Sequence, residues 1–85
     1  MKVVLIPLAE KKLKQRGIAR SRVEETVRGP EQKVPGYGGR MVYQKRYTAG
    51  GGKEQLLRVI CEEKEGIATV ITAYLTSAIE RYWRG

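Results

Sequence analysis

Apolar residues recur in two regimes along the chain, at helical spacing before residue 30 and at alternate positions after residue 40. The run "KVVLI" is β-branched and meets Pro7, so a strand is expected over residues 2–6, with a helix opening at the proline. "PLAEKKLKQRG" then carries Leu8, Ala9, Lys12 and Leu13 in a 3.6-residue rhythm, with basic residues late and Gly17 as the stop. "ARSRVEETVRGP" predicts a second helix, with Ser21 and Glu24 as a capping box, Val23 and Val27 one turn apart, and Gly29-Pro30 as its end. Ile18 is the expected staple between the two helices. "EQKVPGYGGR", with Pro35 and three glycines, is expected to be a loop.

Residues 40–48, 54–63 and 67–75 are rich in Val, Ile, Thr and Tyr, and "AGGGK" and "KEG" between them are of hairpin length. An antiparallel meander follows from this spacing. Alternation places Leu57, Val59 and Cys61 on one face and Leu56, Arg58, Ile60 and Glu62 on the other, so Arg58 sits among apolar neighbours in a central strand. Tyr43, Lys45 and Tyr47 share a face, and Lys45 and Arg46 point opposite ways. The expected architecture is a single α+β domain over 1–85, in the order β-α-α-β-β-β, with two short helices on one side of an antiparallel sheet.

Composition narrows the chemistry. Eighty-five residues with 41% apolar content suit one small core. The chain has no His, Asp, Asn or Phe, which removes histidine-based triads and most metal sites, so neither a metal nor another cofactor is expected. Cys61 stands alone and makes no internal disulfide. "AGGGKEQ" lacks the spacing of a phosphate-binding P-loop and is expected to be a flexible connection. No apolar run is long enough for a membrane span or a signal peptide, so a cytoplasmic location away from membranes is expected. Seventeen Lys and Arg against nine acidic residues leave a net charge of +8, which favours an anionic partner such as nucleic acid.

Two stretches carry a resemblance. "LAEKKLKQRGIARSRVEETVRGPEQ" and "LLRVICEEKEGIATVITAYLTSAIERYW" are similar to a family of small prokaryotic domains of unknown function, which more distantly resembles the RelE/ParE-like toxins. The features that carry it are "RGI" before a helix containing "VEE", then "LRVI", "EEKEG", "VITAY" and the closing "RYW". Relatives commonly carry His-Ala where this chain has Leu8-Ala9, and a capping Ser or Thr where it has Ala19.

The resemblance implies a RelE-like fold and an RNA-directed protein, a metal-independent endoribonuclease toxin of a toxin–antitoxin system, with RNA, the ribosome and an acidic antitoxin as partners. It also assigns roles: Arg58 in "LLRVI" as the mid-strand arginine at the scissile phosphate, and Arg81 with Tyr82 as the C-terminal pair. Arg40, Lys45, Arg46, Lys12 and Arg16 are the further cations expected to meet RNA phosphates. Ordinary structural readings compete at each position. Arg58 also suits a surface ion pair with Glu62 or Glu54, Tyr74, Tyr82 and Trp83 suit core and edge cover, and the lysines of the first helix suit a solvated face. A non-catalytic nucleic-acid-binding module, or a protein-interaction domain, accounts for the same charge.

Overall fold

In the computed structural model, which describes residues 1–84, the chain runs through β1 (Lys2–Leu5), α1 (Pro7–Arg16), α2 (Arg20–Arg28), β2 (Gln32–Pro35), β3 (Met41–Thr48), β4 (Glu54–Lys64), β5 (Ile67–Thr76) and a single-turn α3 (Ile79–Tyr82). The fold is α+β, with five strands in the order β1-β5-β4-β3-β2. Strands β3 to β5 form the expected antiparallel meander and β2 extends it, but β1 lies parallel to β5, so the sheet is mixed rather than purely antiparallel. The two α-helices carry the chain from β1 to β2 at the opposite edge of the sheet, and β2, β3 and β4 bring it back to β5, so the parallel pair is joined by a long connection rather than a hairpin. Among the described residues, no helix is long and apolar enough to cross a membrane.

Helix α1 has Pro7 at its start and ends on Gly17 in the left-handed region (φ 65°). The Ile18 N–H bonds back to the Leu13 carbonyl, which turns the chain and buries Ile18 between the helices, as the staple expectation required. The capping-box expectation at Ser21 and Glu24 fails. Helix α2 starts two residues earlier than that box requires, at Arg20, with Ala19 as its N-cap and no side-chain cap.

Residues 31–40 also depart from expectation. They are not a loop throughout, because Gln32–Pro35 pairs with β3 from Gln32 opposite Gln44 to Pro35 opposite Met41. A four-residue strand at the sheet's edge leaves too little sequence for a period to show, and proline is tolerated at such an edge because one side of the strand has no ladder to complete. The turn that follows needs a glycine at position 36. A Cβ there would lie 3.0 Å from Val42 Cγ2 and 3.2 Å from the Arg40 carbonyl oxygen. The β4–β5 hairpin closes through Glu65 and Gly66, both at positive φ as a two-residue hairpin demands.

The core lies between the helices and one sheet face, where Val3, Leu5, Ala9, Leu13, Val23, Val27, Tyr43, Leu57, Val59, Cys61 and Val70 are buried together. Burial pushes the Cys61 thiol up to about 12. One irregularity decides what the opposite face carries. Ile60 stands opposite Thr72 but Cys61 opposite Val70, so Ile71 is a bulge residue without a partner in β4. Ala68 and Val70 face the helices before the bulge, and Ala73 and Leu75 face them after it. Thr72 and Tyr74 are thereby turned to the face opposite α1 and α2.

Candidate functional site

The sheet face opposite α1 and α2 is centred on Arg58 of β4, with Gln44 of β3 directly across on one side and Tyr74 of β5 on the other. Arg58 Nε donates to Gln44 Oε1 at 2.6 Å, and Arg58 Nη1 donates to the Tyr74 hydroxyl at 2.5 Å. The guanidinium carbon lies 4.1 Å from the centroid of the Tyr82 ring, which meets Tyr74 edge-on at 6.3 Å. Arg58 is half-buried, and among the described residues it has no carboxylate partner. The ion pairs with Glu62 or Glu54 that the sequence allowed do not form. Its charge instead meets the Gln44 amide oxygen, the Tyr74 hydroxyl and the face of the Tyr82 ring.

Gln44 is wholly buried and fully used. Its Nε2 donates to Gln32 Oε1 at 3.0 Å and to the Tyr82 carbonyl at 3.2 Å, while its Oε1 takes the Arg58 bond. Sequence reading passed over both glutamines. The signal for Gln44 was its place directly opposite Arg58, on the same sheet face.

Residues 79–84 lie back across this face. Tyr82 stacks on Arg58, Trp83 stacks on Arg46 with 4.4 Å from guanidinium carbon to ring centroid, and the Arg84 main chain pairs with Gln32. Trp83 therefore packs onto the domain. Tyr82 and Arg81, adjacent in sequence, part company, because Tyr82 turns in over Arg58 whereas Arg81 is exposed beside Glu54, Ser77 and Ile79. Arg81 is not gathered with Arg58.

The other expected phosphate contacts are mostly engaged within the chain. Arg46 makes a two-point contact with Glu31, through Nε and Nη2, and donates its own main-chain N–H to the same carboxylate. Those bonds hold the Glu31 carboxyl below its ordinary value and raise the Arg46 guanidinium above its own. Lys45, on the helix side, bonds Glu25 at 3.0 Å, which raises its ammonium. Arg40 bonds Glu62 at 3.2 Å. Arg16 donates to the Ala73 carbonyl at 2.7 Å and to Thr72 Oγ1 at 3.2 Å. It thus satisfies the edge of β5 beyond the point where β1 stops. Lys12 lies on α1, on the far side of the sheet from Arg58, and is half-exposed. Tyr43 is buried in the core, and the Tyr47 hydroxyl lies 3.0 Å from Thr26 Oγ1, so neither ring is offered to a ligand.

Among the described residues, Arg58, Gln44, Tyr74 and Tyr82 thus form a concentrated polar cluster on the sheet face opposite α1 and α2. No protein-family model, curated protein or solved structure matches this chain.

Proposed function

We propose that the chain is an RNA-directed protein of RelE-like architecture, a metal-independent endoribonuclease whose Arg58 meets the scissile phosphate. The observation that carries this reading is Arg58 itself, an arginine fixed in a central strand with no carboxylate partner among the described residues of a protein of charge +8, while Arg40, Lys45 and Arg46 are each paired. A guanidinium oriented in advance by Gln44 and Tyr74 stabilises charge developing on phosphoryl oxygens with little reorganisation. In the step it serves, the 2′-oxygen of the ribose attacks phosphorus and gives its proton to water, and the 5′-oxygen leaves with a proton from the Tyr74 phenol, which water restores. Tyr82 stacks against the cation and defines one wall of the site. The partners this reading calls for are messenger RNA, the ribosome and an acidic antitoxin that neutralises the basic chain.

The test is mapping of cuts in end-labelled messenger RNA, with and without translating ribosomes, for the wild type, Arg58→Ala and Tyr74→Phe. Cuts that vanish with Arg58→Ala while circular dichroism stays native support the assignment, and unchanged cutting by that variant refutes it. The competing reading is a non-catalytic RNA-binding module. It is favoured by one observation, that the Tyr82 ring already covers the guanidinium. An absence of cuts in every lane, with binding that weakens steeply as salt rises, selects it.

A further inference from the structure

Both polar groups of the Gln32 side chain engage one main-chain residue. The Arg84 N–H donates to Gln32 Oε1 at 3.0 Å, and Gln32 Nε2 donates to the Arg84 carbonyl. The direction of this pairing is fixed from behind. Arg58 Nε can only donate, so the Gln44 oxygen faces it. The Gln44 Nε2 therefore points at Gln32, whose oxygen must accept, and the Gln32 Nε2 is left to donate outward. The relay from Arg58 through the buried Gln44 presents an oriented donor and acceptor side by side. Two flat cations flank it, Arg58 under Tyr82 and Arg46 under Trp83.

A peptide N–H and carbonyl, with aromatic rings lying on guanidinium planes, duplicate what unpaired nucleotides offer, namely adjacent donor and acceptor atoms on a pairing edge and a flat face that stacks. We infer that Trp83 and Arg84 occupy a nucleobase site, from which an unpaired base displaces them by pairing with Gln32 and stacking on Arg46, while Tyr82 stays on Arg58. This deepens the RNA-directed reading and rests on it. Each of the four bases has a neighbouring donor and acceptor, so Gln32 registers that a base is unpaired rather than which base it is. In a duplex those edges are consumed, and the deep groove of A-form RNA keeps side chains from the remaining ones. Single strands are therefore the ligand class.

Arg84→Pro removes the N–H that Gln32 accepts, and Trp83 already has the extended backbone (φ −73°, ψ 129°) that a following proline prefers. Arg84→Ala loses the same charge but keeps the N–H. The probes are oligouridylate and an abasic oligomer of equal length, which carries the same phosphates without base edges. Arg84→Pro is expected to bind oligouridylate about fivefold more tightly than Arg84→Ala, the scale of one released hydrogen-bonded contact, with no difference on the abasic oligomer. Gln32→Leu is expected to bring oligouridylate affinity down toward the abasic level. Equal binding by the two Arg84 variants, or equal wild-type binding of the two oligomers, overturns the base site while leaving phosphate-directed RNA binding standing. Binding of neither oligomer by any chain overturns the RNA-directed reading and the base site together.

Discussion

Replacing Gln44 by alanine tests whether the face opposite α1 and α2 is built around that one buried amide. The substitution removes the acceptor of Arg58 Nε and the donor to Gln32 Oε1 and to the Tyr82 carbonyl. A neutral hydrogen bond contributes about 1 kcal/mol net, and one to a charged group about 1.5 to 3 kcal/mol. The gross loss is then roughly 3.5 to 5 kcal/mol, less what water returns to the half-exposed Gln32 and Arg58, which leaves about 3 kcal/mol. A domain of this size has a total stability of roughly 4 to 13 kcal/mol, so the variant forfeits a large share of it. Its melting temperature is expected to fall by roughly 12 to 24 °C, which thermal denaturation and urea titration both read. A loss under about 1 kcal/mol with an unchanged urea slope would refute the reasoning, because it would mean that the amide is solvated in the native state and its three bonds are not made.

Other expectations follow from single contacts. Glu31 has its carboxyl lowered by the Arg46 bonds, so it contributes stability that is fully present above its ordinary value of 4.5 and is lost as pH falls through the lowered folded value. Urea titrations at pH 7 and pH 3 should show a smaller pH-dependent loss for Glu31→Gln than for the wild type, and parallel losses would refute the pairing. Cys61, buried and with its thiol pushed up to about 12, should resist a thiol-selective disulfide reagent at pH 8 until denaturant is added, and prompt native labelling would contradict its placement. Gly36→Ala sets a methyl 3.0 Å from Val42 Cγ2 and should destabilise by about 1 to 3 kcal/mol in urea titration, whereas a neutral effect would show that the turn relaxes freely.

Where the chain has long, strongly patterned segments, the fold was legible. The two helices, the Gly17 stop and the three long strands follow from period and punctuation, and the placement of Arg58 opposite the core face of β4 follows from alternation alone. Two features were hidden for physical reasons. Strand β2 is too short to have a period and owes its existence to pairing with β3. The bulge at Ile71 breaks the alternation of β5, so a strict two-residue period carried on from Val70 would set Tyr74 among the helices rather than beside Arg58. The site was legible only as single residues. Arg58 and Tyr82 do meet, but Arg81 does not join them, because a one-turn helix sends consecutive side chains in different directions. Gln44 became visible as an organiser only once its three partners were in place.

The parallel seam between β1 and β5 joins the first strand made to the last. Among the described residues β1 has one strand partner, β5, and helix α1 packs on that same late strand while α2 packs on β4 and β3. Strands β2 to β5 pair through short-range turns, whereas seating β1 closes a far longer loop at a greater cost in chain entropy. A ribosome that stalls before residue 67 therefore leaves "KVVLI" without the strand it pairs with.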